Sequence, residues 1–96
     1  MRIAWDKSKD LTNQQKHGVS FREAQEIFTS GRDYLEIFDA EHSDMEERWI
    51  AVGPIAPGLV LVAWTERDED VVRIISARWA NRRERTLYLS YAEQKR

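Results

Sequence analysis

The chain has 96 residues, with 15 Lys or Arg against 17 Asp or Glu, a formal net charge of -2, and no cysteine. That length predicts one domain, 1–96, with a modest core, and the missing cysteines exclude disulfides and thiolate metal sites. The charge balance argues against a general nucleic-acid coat protein, and no apolar run approaches the roughly 20 residues of a membrane span.

The opening residues, Met1-Arg2-Ile3-Ala4-Trp5-Asp6, hold no signal-peptide apolar region, so a cytoplasmic location is expected. Arg2 to Trp5 is a predicted strand. Asp6 can cap a helix from Lys7 to about His17. Leu11 is its only large aliphatic residue, so tertiary contact rather than an apolar stripe must hold this helix. Gly18 can supply the left-handed residue that ends it. Lys16 and His17 then fall in the last turn, where outward carbonyls favour cations. Ser20-Phe21-Arg22-Glu23 is a capping box for a second helix. Ala24, Ile27 and Phe28 share its core face, and Gly31 stops it.

Tyr34 to Phe38 is a predicted strand, Asp39 to Glu46 a polar loop, and Arg48 to Val52 the next strand. Gly53-Pro54-Ile55-Ala56-Pro57-Gly58 reads as a turn. Two apolar runs follow, Leu59 to Thr65 and Val71 to Trp79, joined as a hairpin by polar Glu66 to Asp70. Links this short pair neighbouring strands antiparallel. Trp49, Trp64 and Trp79 read first as core. Asn81, with Glu84 three residues on, caps a last helix from Arg82 to about Glu93, with Leu87, Tyr88 and Tyr91 on one side. The order β-α-α-β-β-β-β-α is an α+β arrangement, with helices packed on a largely antiparallel sheet.

Charge is segregated along the chain. Seven acidic residues and no Lys or Arg occupy 33–47, whereas five arginines and one glutamate occupy 73–85. One face is therefore expected to be basic although the whole is nearly neutral. No Gly-rich phosphate loop is present, and His17 and His42 stand 25 positions apart. Neither a metal nor another cofactor is expected.

General acids, general bases and cations remain, and RNA cleavage without a metal needs little else. A base must take the 2′-hydroxyl proton, an acid must protonate the leaving 5′-oxygen, and cations must meet the charge on phosphorus. His17 is the first proton-exchanging candidate, because histidines work near neutrality; the alternative is a surface residue at a helix end. Lys16 is a phosphate ligand or a solvated lysine. Glu66 is a base, or it pairs with Arg67 or Arg73 and holds that arginine in place. Arg67, Arg73 and Arg78 are candidate two-point phosphate ligands. Arg73 and Arg78 stand five positions apart, so ideal alternation separates them unless the strand bulges. Arg48, Arg82 and Arg83 are further RNA-binding candidates. Trp5 either stacks on a base or packs in the core. Charge reversal at Arg67 or Arg78 is expected to harm cleavage more than folding.

Trp5-Asp6, Asn13 and Lys16-His17-Gly18-Val19-Ser20-Phe21 together resemble the opening of the BrnT toxin family. Asp39, His42 and Glu46-Glu47-Arg48 continue the resemblance. Thr65-Glu66-Arg67 and Arg73-Ile74-Ile75-Ser76-Ala77-Arg78 form its centre. Ala80, Arg82, Glu84, Arg85 and Tyr88 close it, so it spans about residues 2–88. The resemblance implies a small ribonuclease toxin with a RelE-like fold, encoded beside a ribbon-helix-helix antitoxin. It further implies a toxin–antitoxin hetero-oligomer that touches operator DNA only through the antitoxin. The free toxin is then expected to cleave RNA and stop translation. Trp79 and Asn81 depart from the pattern, standing where lysine or another polar residue, and threonine, are common. The competing expectation is a weak or inactive homologue that acts as an antitoxin-binding, co-repressor module.

Overall fold

The computed structural model describes residues 1–95. The chain runs β1 (Arg2–Trp5), α1 (Lys7–His17), α2 (Phe21–Ala24), α3 (Glu26–Thr29) and β2 (Leu35–Phe38). It continues through a 3-10 turn (Ala40–His42), β3 (Trp49–Ile55), β4 (Gly58–Arg67), β5 (Val71–Trp79) and α4 (Arg82–Gln94). The strands form one sheet in the order β1-β5-β4-β3-β2. The pairs β2–β3, β3–β4 and β4–β5 are antiparallel, while β1 pairs parallel with β5. The α+β class and the element order agree with the sequence reading.

The two faces of the sheet have different coverings. On one face, Val60, Val62 and Trp64 of β4 and Val72, Ile74 and Ala77 of β5 bury against Val19, Phe21, Ala24 and Ile27. Burying a side chain the size of Phe21 contributes about 1.5–3 kcal/mol. On the other face α4 packs over β2 and β3, close to Leu35, Val52 and Leu61. The part of β5 near its middle is left uncovered by α4, and the candidate site lies there.

The caps form as the sequence indicates. Asp6 accepts from the N–H groups of Ser8 and Lys9, and Gly18, at φ +69°, ends α1 in the left-handed region. Both capping boxes, Ser20 with Glu23 and Asn81 with Glu84, are complete. The expected second helix is divided at Gln25, because the Phe28 N–H bonds back to Gln25 rather than to Ala24.

The 53–58 turn needs correction. β3 runs through Gly53 and Pro54 to Ile55, and only Ala56 and Pro57 turn. Pro54 is tolerated because β2 ends opposite Val52, leaving no ladder on that side of Pro54 to donate to. Gly53 lets α3 approach the strand: a Cβ there would lie 2.7 Å from Tyr34 Cβ and 3.1 Å from Ile27 Cγ1. The β4–β5 turn is also shorter than expected, since Glu66 and Arg67 still pair with β5. Trp79 is 36% exposed rather than core. Among the described residues no helix is long and apolar enough to cross a membrane.

Candidate active site

β5 carries one residue more than β4 can match. Ala63 pairs with Ser76 and Trp64 with Ile74, so Ile75 has no opposite number. A bulge of this kind shifts the side-chain alternation by one. Val72, Ile74 and Ala77 all enter the core. Arg73 and Arg78 therefore lie together on the opposite face, which regular alternation would forbid. The condition the sequence set for their convergence is met.

The bulge also lies where β5 loses its neighbour. β1 pairs with Val71 to Ile74 and goes no further. Beyond it Asn13, buried in α1, takes over the exposed edge. The Asn13 side chain accepts from the Ala77 N–H at 3.1 Å and donates to the Ala77 carbonyl at 2.8 Å and to the Val19 carbonyl at 3.0 Å. Asp10 adds a second tie, accepting from the Phe21 N–H at 2.8 Å. These polar ties, rather than an apolar stripe, seat α1 against β5 and the start of α2.

The helix end and the bulge enclose a cleft of about 270 Å³. Ser8, Lys9, Thr12, Asn13, Lys16 and His17 line one wall, and Ile75 and Ser76 the other. Lys16 and His17 are exposed in the last turn of α1. Among the described residues, Lys9, Lys16 and Arg73 make no ion pair. Lys9 was not singled out from the sequence. Its spacing from Lys16, with Asn13 between them, is the i, i+4, i+7 pattern of one helix face and was readable as such.

The remaining candidates divide into groups. Arg78 is held by Glu84 through two hydrogen bonds of 2.8 and 2.7 Å. That contact holds the Arg78 guanidinium above its ordinary value and the Glu84 carboxyl below its own. Arg67 stands diagonally across from Arg73, since Arg67 pairs with Val71 and Thr65 with Arg73. Glu46 sits 3.3 Å from Arg67 and 3.6 Å from Arg48. Arg82 and Arg83 are exposed in the first turn of α4. Trp5 meets Phe21 edge to face at 6.3 Å and packs against the core.

Glu66 is not brought to the cleft. It lines a separate groove of about 660 Å³ with Glu36, Glu46, Glu47 and Glu69, beside the stacked rings of Trp49 and Trp64. Five carboxylates repel a phosphate backbone, so the groove is a poor path for RNA. His42 is also elsewhere, paired with Asp39 at 2.9 Å. Among the described residues no three His, Asp or Glu side chains group to hold a metal ion.

A small α+β protein with a bulged central strand and a cationic cleft is the class that fold and site define. The sequence profile described as "Ribonuclease toxin, BrnT, of type II toxin-antitoxin system" matches residues 5–84. The chain belongs to the BrnT family of ribonuclease toxins. It is also similar to the crystal structure of the Brucella abortus ribonuclease toxin BrnT. That likeness has a TM-score of 0.64 and 25% sequence identity, and covers 85% of this chain and 99% of that one. No curated protein sequence matches the chain. A type II toxin implies an antitoxin partner.

Proposed function

We propose that this chain is a metal-independent endoribonuclease that works at the cleft between the end of α1 and the β5 bulge. The observation that carries the reading is the bulge at Ile75. It puts Arg73 and Arg78 on one face, beside the strand segment that Lys16 and His17 overlook. In the proposed reaction the 2′-oxygen attacks phosphorus and the bond from phosphorus to the 5′-oxygen breaks. His17 takes the 2′-hydroxyl proton, and the Lys16 ammonium gives a proton to the leaving 5′-oxygen. Lys9, which lines the cleft, and Arg73, on the same face of β5 as Ser76, meet the charge that grows on the phosphoryl oxygens. Arg67, Arg82 and Arg83 flank the path of the strand. Cleavage of this kind inhibits translation.

The partner is proposed to be a ribbon-helix-helix antitoxin, forming a hetero-oligomer that reaches operator DNA through the antitoxin. This rests on the family resemblance rather than on any surface of the fold. A cytoplasmic site of action follows from an RNA substrate and a co-produced antitoxin.

Antitoxin-free protein incubated with RNA in EDTA tests the mechanism. Fragments ending in a 2′,3′-cyclic phosphate or a 3′-phosphate are expected, and His17→Ala should abolish them. A need for magnesium, or 5′-phosphate products, rejects it. The second reading, an inactive antitoxin-binding homologue, draws support from Arg78, whose guanidinium is already occupied by Glu84. Intact RNA together with retained antitoxin binding identifies that case.

A further inference from the structure

We propose that Asn13 is a positioning residue for RNA cleavage, replacing a strand on the edge of β5 and holding the Lys16–His17 end of α1 against the bulge. The inference rests on the active site proposed above. A carboxamide has the same donor and acceptor as a peptide group. Asn13 uses both on Ala77, as a neighbouring strand would, and adds a third bond to Val19 just past the helix end. The amide orientation is set by its partners, since the reverse would turn the NH2 group towards the Ala77 N–H.

The position of the clamp in the chain matters. Asn13 lies one helical turn before His17, and Ala77 lies between the bulge residue Ile75 and Arg78. One side chain thus links the element carrying the proton-transfer groups to the element carrying Arg73. It does so at the point where β1 stops pairing. The thin apolar content of α1 leaves few other contacts to hold that distance. Asn13 also lines the cleft, but it is only 6% exposed and both its polar atoms are bonded to the backbone of Ala77 and Val19. Its effect on the reaction is therefore through Lys16 and His17. Misplacing a reacting group by about 1 Å can cost about 10²-fold in rate.

Three proteins separate positioning from plain stability: wild type, Asn13→Ala and Gly53→Ala. Gly53 lies against α3 and Tyr34, away from the cleft, and its variant supplies a loss of stability with no change at α1. RNA cleavage is measured well below the lowest melting temperature. Asn13→Ala is expected to lower kcat by about 10²-fold with KM within about threefold, while Gly53→Ala keeps the wild-type kcat. Amide hydrogen exchange gives a reading independent of activity. In the wild type the Ala77 amide is expected to be protected, although no strand lies on that side of it. In Asn13→Ala it should exchange at least about tenfold faster than global stability accounts for. Should Asn13→Ala fail to fold, Asn13→Asp replaces it; that side chain keeps the acceptor for Ala77 and loses both donors, and the same fall in kcat is expected. Equal kcat in Asn13→Ala and Gly53→Ala, or an unprotected wild-type Ala77 amide, overturns the proposal. A wild type that cuts no RNA removes the functional reading, and with it the catalytic half of this one. The exchange data then still decide whether Asn13 clamps α1 to β5.

Discussion

Arg78 and Glu84 meet at two points, 2.8 and 2.7 Å apart, and so join the end of β5 to the first turn of α4. Glu84 also accepts from the Asn81 N–H at 2.9 Å, closing the capping box. Arg78 thus ties two elements together, so its removal is expected to lower stability whatever it does to cleavage. Arg78→Ala should lower stability by about 1 kcal/mol, allowing for its partial exposure. In a domain of this size that is about 4–8 °C in Tm. Arg67→Ala loses one exposed contact to Glu46 and should cost less than about 0.5 kcal/mol. Thermal melts of both variants check this; equal Tm values would remove the structural role given to Arg78.

The same pair sets a pH dependence. The Arg78 hydrogen bonds hold the Glu84 carboxyl below the ordinary glutamate value, partial burial opposes this, and the Asn81 N–H adds to it. The folded protein therefore gives up that proton more readily than the unfolded chain. The stabilisation is full above the unfolded value, about 4.3, and is lost as pH falls through the lower folded value. Glu84→Gln should be clearly less stable than wild type at neutral pH, and the gap should narrow in acid. Urea midpoints at pH 7 and pH 3 measure it. A gap of the same size at both would mean that the charge on Glu84 is not its source.

Gly53→Ala should be destabilised by overpacking. The added methyl carbon falls 2.7 Å from Tyr34 Cβ and within 3.2 Å of two Ile27 carbons, in a core with little room to yield. Forcing one methyl group into such a place costs about 1–3 kcal/mol. A matching fall in Tm is expected, with secondary structure unchanged by circular dichroism. An unchanged Tm would show that Tyr34 and α3 shift at no cost.

The caps, the strands and the class of fold were legible because each depends on residues near one another. Ser20 with Glu23, Asn81 with Glu84 and Asp6 before α1 are local signals, and all three form. The run from Gly53 to Gly58 misled because Pro and Gly usually punctuate chains. Here Gly53 is needed for a tertiary approach and Pro54 sits beyond the end of β2, neither of which a local pattern contains. The bulge could be posed as a condition on Arg73 and Arg78, but its position depends on register with β4. The Arg78–Glu84 pair spans only six positions, yet it forms because a strand ends where α4 begins. Glu66 and Arg67 are neighbours in sequence and part company because a regular strand sends them to opposite faces.

That last separation gives the sharpest test of where RNA is cut. Arg73 faces the side of β5 that carries the bulge cleft and has no carboxylate partner among the described residues. Glu66 faces a groove with four other glutamates. If cleavage occurs at the bulge, Arg73→Ala loses a cation that meets charge in the transition state, and its rate should fall by about 10²–10³-fold. Its melting temperature should stay near wild type, because no ion pair is broken. Arg73→Lys should recover part of the rate, since a point charge replaces the planar two-point contact. Glu66→Gln should cut RNA within about threefold of wild type, and lowering the charge of the acidic groove should if anything aid RNA binding. Single-turnover cleavage with all three variants, at one salt concentration, decides between the faces. A collapse of cleavage in Glu66→Gln with Arg73→Ala unaffected would move the chemistry to the acidic groove and leave Lys16 and His17 as a solvated helix end.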